Sequence, residues 1–230
     1  MIGLPPLFFD FDRTVVTLGT DIANVRLELS SAAASAGFVS GFRPILAELE
    51  RFAAFLGDEA RARELRLRFD HLELKHTVVK PPPRKTIEVL GQLAGRFSLV
   101  IVSNNGAPVI EASLRAGGCR DLFAGIYCRS DLSCYQHAKP HPWLFQRHID
   151  EHGLPKRLIM VGDSGVDLEV FRAVVEQRYD GDFSDHHFFH ITSKAAATHR
   201  WVIPLPSADL LSLHLLPGTY TPSPRHRKTP

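Results

Sequence analysis

Cysteine is scarce in this sequence, with three among 230 residues. Cys119, Cys128 and Cys134 are odd in number and have no C-x-x-C spacing. Small secreted domains depend on paired cysteines, so this set does not indicate a disulfide framework. We therefore interpret the three residues as reduced thiols and expect a cytoplasmic protein.

Three further features are missing: a long apolar run, a basic leader and an excess of charge. No run approaches the roughly 18 apolar residues of a membrane span, and no basic region precedes the first apolar stretch, which soon meets Asp10. The 27 basic and 25 acidic side chains give a formal net charge of +2. We therefore expect no export, no membrane partner and no nucleic acid partner.

The remaining composition is that of an ordinary globular protein, 44% hydrophobic and 23% charged. At about 150 residues per domain, the length predicts one core and a modest accessory unit. Short, nearly continuous apolar runs predict strands that are buried on both faces. The clearest runs are 7–12, 97–102 and 158–161, and the weaker ones are 123–127 and either 188–192 or 201–203.

Helical patterns lie between these runs, at 86–93, 107–116, 142–149 and 167–175. Strands that alternate with such helices are typical of βαβ units, so the sequence predicts an α/β fold with a Rossmann-like parallel sheet core. Ligands of these sheets bind beyond the carboxyl ends of the strands. The polar residues predicted at those ends are Asp10, Asp12, Ser103, Asn104 and Asp163.

The connection from Thr14 to the second strand is about eighty residues long, too long for a simple crossover. It carries helical patterns at 22–29, 45–56 and 60–74, although alternating leucines leave a hairpin open for the last one. We predict a small, mainly helical cap domain over 17–80 and an α/β core formed by 1–16 and 81–216. The Pro-rich, basic segment 217–230 is predicted to be a disordered tail.

Asp10 and Asp12 stand two residues apart at the end of the first predicted strand. On an extended chain their carboxylates lean to the same side and repel each other. Mg²⁺ relieves such repulsion, and Asp163 would supply a third acid. One carboxylate can then attack phosphorus while the other donates a proton. Lys139 is a candidate for neutralising phosphoryl charge, and the Ser103 hydroxyl for binding a phosphoryl oxygen.

These residues fall in four ordered segments. The segments are Asp10-Phe11-Asp12-Arg13-Thr14, Ser103-Asn104, Lys139-Pro140-His141-Pro142 with Phe145, and Gly162-Asp163-Ser164-Gly165-Val166-Asp167. In order and spacing they resemble the four motifs of the haloacid dehalogenase-like (HAD) hydrolase superfamily. A predicted cap between the first and second motifs is similar to subfamily I members with a helical cap, such as phosphoglycolate phosphatase-like enzymes.

The resemblance implies a Mg²⁺-dependent phosphatase that hydrolyses a small phosphorylated molecule through an aspartyl-phosphate intermediate. Asp10 resembles the nucleophile of the family, Asp12 the general acid/base, and Lys139 the residue that steadies the phosphoryl charge. The magnesium ligands implied are Asp10, the backbone carbonyl of Asp12, and Asp163.

The resemblance also implies residues that bind substrate or support the site. Ser103 and Asn104 resemble the phosphate-binding motif, whereas Asp167, with Ser164 beside it, resembles a support for the lysine or for magnesium-bound water. Arg13 departs from the family, in which this position is commonly glycine. We predict that Arg13 binds substrate, and the alternative is that it packs outward.

Several other functions remain open. A dehalogenase would not need a second acid, so Asp12 favours phosphoryl chemistry. A phosphonatase-like enzyme would need a cap lysine, for which Lys75 and Lys80 are available, and a phosphomutase would keep both acids. A further alternative is a catalytically idle HAD-like protein that binds or regulates a partner.

A histidine-rich stretch near the C-terminal end suggests zinc as another hypothesis. Its members are His186, His187, His190 and His199. No cysteine or carboxylate accompanies them at a known ligand spacing, so the pattern favours an ordinary surface over a metal site.

Overall fold

The computed structural model describes residues 4–192 and 199–216. Its strands are β1 (Pro6–Phe9), β2 (Gly19–Thr20), β3 (Thr77–Val78), β4 (Ser98–Ser103), β5 (Phe123–Cys128), β6 (Ile159–Gly162), β7 (His187–Ile191) and β8 (Val202–Leu205). Its α-helices are α1 (Ile22–Ser35), α2 (Ile45–Leu56), α3 (Glu59–Lys75), α4 (Arg84–Ala94), α5 (Ala107–Ala116), α6 (Trp143–His152), α7 (Gly165–Arg178) and α8 (Leu211–Leu215). In these two stretches of chain, we find no helix with the length and apolar character needed to cross a bilayer.

Six strands form one parallel sheet in the order β5-β4-β1-β6-β7-β8. In the central strand, Phe8 is in register with Val100 of β4 and Met160 of β6. Residues 7–9 are fully buried because helices cover both faces of the sheet. The α/β fold with a Rossmann-like parallel sheet is therefore confirmed.

Alternate residues of β1 belong to different hydrophobic clusters. Leu7 and Phe9 pack with the apolar residues of α4 and α5. Phe8 packs with α6 and α7, and its ring centroid lies 4.9 Å from that of Phe145. The Phe8 cluster continues through Leu65 and Phe69 of α3, so the inserted helices share a hydrophobic core with this face of the sheet.

The first strand ends earlier than the sequence analysis predicted. β1 stops at Phe9, whereas an extended segment was expected through Asp12. The N–H groups of Val15 and Val16 both donate to the carbonyl of Phe11, at 2.9 and 3.2 Å, and fold 11–16 into a tight turn. The predicted strand end at Asp12 is therefore wrong, although Asp10 still bonds to β6 through its N–H.

The last part of the sheet also differs from expectation. The sequence offered 188–192 or 201–203 as a strand, but the structure has both β7 and β8, paired in parallel with Phe188 opposite Val202. The predicted helices between the strands form as α4 to α7. The predicted tail, 217–230, lies outside the described residues.

The segment 17–80 contains α1, α2 and α3 together with a short ribbon. α3 is a helix and not a hairpin, since its buried apolar residues recur every three or four positions. They are Ala62, Leu65, Phe69 and Leu72. The antiparallel ribbon of β2 and β3 joins the two ends of the segment, and two-residue strands carry no periodicity that would have predicted it. The division of the chain into a cap over 17–80 and a core stays a prediction.

Candidate active site

The carboxyl ends of β1, β4 and β6 lie side by side in the sheet. Asp10 directly follows β1, and its N–H donates to the carbonyl of Val161 at 2.9 Å. Ser103 is the last residue of β4, and Asp163 directly follows β6. The fold therefore brings these three predicted site residues to one edge of the sheet.

Lys139 supplies the buried cation at this edge. Its Nζ donates to Oδ1 of Asp10 and to Oδ1 of Asp167, each at 2.6 Å. Burial acts to lower the pKa of Lys139, but the two carboxylates outweigh it and raise that pKa. Lys139 is therefore a protonated ammonium group held beside Asp10.

Asn104 fixes the backbone of Lys139. Its Nδ2 donates to the Lys139 carbonyl at 2.9 Å, and its Oδ1 accepts the Lys139 N–H at 2.8 Å. The observed contacts of this side chain thus orient the lysine. The predicted contact between Asn104 and a substrate stays a prediction.

The N-terminus of α7 orients Asp167. Ser164 donates to Oδ2 of Asp167 through its N–H at 3.1 Å and its Oγ at 2.6 Å, and this Oγ accepts the Asp167 N–H at 3.3 Å. A Cβ at Gly162 would lie 2.6 Å from the Cβ of Asp167, so a larger residue does not fit there. These constraints leave Oδ1 of Asp167 directed at Lys139.

Three carboxylates form a candidate metal centre. One oxygen of each of Asp10, Asp163 and Asp167 lies within 4.8 Å of the others. Hard carboxylate oxygens are ligands that Mg²⁺ prefers, so this donor set fits such a cation. Asp12 is not a member of the group, and its Oδ1 accepts the N–H of Leu18 at 2.8 Å. The predicted ligand set of Asp10, Asp163 and the Asp12 carbonyl stays a prediction.

Arg13 lies at the exposed side of this group. Its backbone φ is 58°, a left-handed conformation that costs a non-glycine residue about 1–2 kcal/mol. Its Nε lies 3.1 Å from Oδ2 of Asp163, and its side chain is 65% exposed against 12% for Asp163. The positive φ is a physical reason why the motif that this segment resembles commonly has glycine here. Arg13 pairs with a site acid, and substrate binding by Arg13 stays a prediction.

Ser103 is buried in a bonded loop at the end of β4. Its Oγ accepts the N–H of Asn105 at 3.2 Å and donates to Oδ1 of Asn105 at 3.0 Å. The loop continues to Gly106, which precedes α5. The structure therefore places the Ser103 hydroxyl at the predicted strand end, and its contact with a phosphoryl oxygen stays a prediction.

Three buried charged residues beside this loop were not predicted from the sequence: Asp70, Glu73 and Arg129. Asp70 and Glu73 lie next to Phe69 and Leu72 on the buried face of α3. Acids on an apolar helical face need a buried partner, and this was the available signal. Nothing in the sequence pattern marked Arg129 as that partner.

Burial raises the pKa of the acids at the site. It raises the pKa of Asp10 to about 6, against the opposing effect of Lys139. Burial also raises the pKa of Asp12 and of Asp163, and in both it outweighs the charge of Arg13, which lowers the pKa. A raised pKa keeps a proton on Asp12 closer to neutral pH, as a general acid requires.

The histidine-rich stretch gives the zinc hypothesis no support. Within 4–192 and 199–216, the three acids are the single group of potential ligands with suitable spacing. His186 accepts the N–H of Leu158 through Nδ1 at 2.9 Å. His190 Nε2 lies 3.2 Å from the carbonyl of Asp163, so His190 contacts the backbone of an acidic residue of the site.

Three solved structures share this fold at low identity. YfnB from Bacillus subtilis, bound to magnesium, is 16% identical over 92% of this chain and 98% of its own, with a TM-score of 0.52. CbbY from Rhodobacter sphaeroides, in complex with phosphate, is 18% identical over 91% of this chain and 96% of its own, with a TM-score of 0.53. A dehalogenase with an intermediate complex is 15% identical over 92% and 97%, with a TM-score of 0.55.

No curated protein matches the sequence. The model of the haloacid dehalogenase-like hydrolase family, in contrast, matches residues 7–174. This match begins in β1, ends in α7 and includes the three acids and Lys139. The chain therefore belongs to the haloacid dehalogenase-like hydrolase family.

Proposed function

We propose that this protein is a Mg²⁺-dependent phosphatase that hydrolyses a small phosphorylated metabolite. The observation that carries the proposal is the 2.6 Å contact between Nζ of Lys139 and Oδ1 of Asp10 within a group of three carboxylates. Hydrolysis of a phosphate monoester develops negative charge that must be neutralised. A buried ammonium group beside the nucleophile performs part of that neutralisation.

Asp10 is the nucleophile of the first step. Its pKa of about 6 leaves the carboxylate mostly ionised at neutral pH, and Lys139 occupies Oδ1. Oδ2 forms a bond to phosphorus as the bond from phosphorus to the leaving oxygen breaks. Asp12 donates its proton to that oxygen, and the product is an aspartyl-phosphate at Asp10.

The second step returns both acids to their starting states. Asp12, now ionised, accepts a proton from water, and the water oxygen forms a bond to phosphorus. The bond between phosphorus and Oδ2 of Asp10 breaks, which releases orthophosphate. Ser103, Asn104 and Arg13 are proposed to contact the substrate during both steps.

Asp10, Asp163 and the backbone carbonyl of Asp12 would hold Mg²⁺. When bound, this ion neutralises charge on the phosphoryl group. The close approach of the site carboxylates supports its assignment, as do the bound magnesium of YfnB and the bound phosphate of CbbY. Asp167 and Ser164 are proposed to support the site through their contacts with Lys139 and with each other.

Two wider assignments belong to the same proposal. Residues 17–80 would act as a cap that closes over the substrate and excludes water. The protein would act in the cytoplasm, and the three free cysteines support this location.

Asp12 favours a phosphatase over a dehalogenase. A halide leaves as a stable anion and needs no proton, whereas an alkoxide leaving group does. A half-buried acid with a raised pKa, such as Asp12, can supply that proton.

The test is phosphate release from an aryl phosphate and from a panel of sugar phosphates, phosphoacids and nucleotides, with Mg²⁺ or with EDTA. We expect turnover with Mg²⁺, none with EDTA, and none by Asp10→Asn or Asp12→Asn. The matched control is Asp185→Asn, an exposed acid that precedes β7 at the opposite edge of the sheet. It should keep wild-type activity.

Two outcomes would contradict the proposal. One is the absence of phosphate release from every ester in the presence of Mg²⁺. The other is halide release from a 2-haloacid that Asp12→Asn leaves intact, which would identify a dehalogenase.

A further inference from the structure

A buried charge cluster joins α3 to the loop that carries Ser103. Arg129 donates to Oδ1 of Asp70 through Nη2 at 2.6 Å and Nε at 3.1 Å, and to Oε2 of Glu73 through Nη2 at 2.7 Å. The guanidinium carbon lies 3.8 Å from the ring centroid of Phe69. Burial alone acts to lower the pKa of Arg129, but the two carboxylates raise it, so the cluster holds a permanent cation.

Glu73 extends this cluster into the loop. Its Oε1 accepts from Nδ2 of Asn105 at 3.0 Å, and its Oε2 accepts the N–H of Gly106 at 2.8 Å. Gly106 directly precedes α5, where helix geometry leaves backbone N–H groups unpaired and favours a negative charge. Glu73 thus satisfies one such group while it holds the Asn105 side chain.

The loop lies too close to α3 to adopt another position freely. A Cβ at residue 106 would lie 2.7 Å from Oδ1 of Asp70. Asn105 in turn orients the Ser103 hydroxyl, which donates to Oδ1 of Asn105 and accepts its N–H. A continuous series of hydrogen bonds therefore runs from Arg129 through Glu73 and Asn105 to Ser103.

We propose that Glu73 is a positioning residue that sets the Ser103 loop for phosphoryl binding, and that it acts through Asn105. This inference rests on the proposed function, since Ser103 binds a phosphoryl oxygen only in that case. Glu73 does not touch the substrate. Asp70 belongs to the same cluster but bonds to Arg129 and Ser130 and makes no direct bond to residues 103–106. Arg129 itself donates to the Asn104 carbonyl through Nη1 at 3.2 Å, so Asp70→Asn measures this indirect route and Glu73→Gln measures the direct bond to Asn105.

The experiment compares Glu73→Gln with Asp70→Asn as a matched pair. Each removes one negative charge that contacts Arg129 from the same helix. A glutamine has one acceptor oxygen where Glu73 uses two, so it leaves either Asn105 or Gly106 facing an amide NH₂. The readout is the Kd of orthophosphate by calorimetry with Mg²⁺ present, beside the free energy of unfolding in urea.

We expect Glu73→Gln to weaken orthophosphate binding about tenfold or more and Asp70→Asn by less than about threefold, at similar losses of stability. A double-mutant cycle supplies the second readout, and if Glu73→Gln does not fold, the effect of Asn105→Ala alone on orthophosphate binding tests the same link. Asn105→Ala in the Asp70→Asn background should multiply the two single effects. In the Glu73→Gln background, Asn105→Ala should add little, because both variants break the same link.

Equal effects of the two charge-removing variants on orthophosphate binding would overturn the inference, as would independent effects of Glu73→Gln and Asn105→Ala. Asn105→Ala without effect on orthophosphate binding would overturn it as well. A wild-type protein that binds orthophosphate but hydrolyses no ester would refute the proposed phosphatase and leave the positioning role measurable. A wild-type protein that does not bind orthophosphate would refute both.

Discussion

Replacing Asp10 by asparagine should abolish activity and at the same time stabilise the fold. The Asp10 carboxyl is buried, and burial raises its pKa from 3.8 to about 6 in spite of Lys139. Asparagine has nearly the shape of the protonated acid, and its Oδ1 can still accept a hydrogen bond from Lys139. The substitution therefore removes the cost of an ionised group in the folded state.

The size of the gain follows from linkage between protonation and folding. The folded state binds the proton more tightly than the unfolded chain, so stability is full below pH 3.8 and falls as pH rises towards 6. Above that range the ionised Asp10 carboxylate lowers the free energy of unfolding by about 3 kcal/mol, at about 1.4 kcal/mol per pKa unit. The asparagine variant carries none of this cost.

The assay is urea unfolding of both proteins between pH 4.5 and 8 in EDTA. We expect Asp10→Asn to be more stable by about 3 kcal/mol at pH 7.5 and by about 1 kcal/mol at pH 4.5. The variant Asp185→Asn, at a side chain that is 69% exposed, is the control measured beside it. Added Mg²⁺ should narrow the gap at pH 7.5, because binding stabilises the folded wild type.

A pH-independent difference would refute this reasoning. So would an asparagine variant that is less stable than wild type at pH 7.5, which would mean that the ion pair with Lys139 outweighs the desolvation of Asp10. Either result would also remove the basis for a raised Asp10 pKa.

Three more substitutions test the site. Lys139→Met should abolish phosphate release and destabilise the protein in urea by about 3–5 kcal/mol, since it leaves two buried carboxylates without their cation. Arg13→Gly should tighten Mg²⁺ binding, measured by calorimetry, because Asp163 loses a competing cation; weaker binding would contradict this. Gly162→Ala should cost about 1–3 kcal/mol in urea and lower kcat, because the new Cβ meets Asp167; unchanged kcat would show that Asp167 tolerates the shift.

The strongest sequence signals were periodic and local. Continuous apolar runs predicted β1, β4 and β6, and each was followed by polar residues that the sheet then brought to one edge. The stripe of Leu65, Phe69 and Leu72 matched a helix as well as the alternating residues matched a hairpin, and the predicted helix is confirmed by α3. These predictions succeeded because burial on a fixed face imposes a repeat that a short window of sequence displays.

Less of the local detail could be predicted. The run 7–12 reads as one strand, but backbone hydrogen bonds to the Phe11 carbonyl close a turn that no apolar pattern marks. The ribbon of β2 and β3 is too short to have a period. The positive φ of Arg13 was not predicted either, since arginine gives no sign of a left-handed backbone.

The sequence by itself determined the parallel α/β architecture and the family. Each buried strand and each of the four ordered motifs is a short, continuous segment of chain, so the sequence displays it directly. Only the tertiary structure decided that Lys139 bridges Asp10 and Asp167, that Asn104 clamps the lysine backbone, and that Glu73 reaches the Ser103 loop. These contacts join residues that are distant in the chain, and which charged groups become partners depends on how the packed elements meet. A charged side chain that the fold buries needs a partner of opposite charge, and no local sequence pattern identifies that partner.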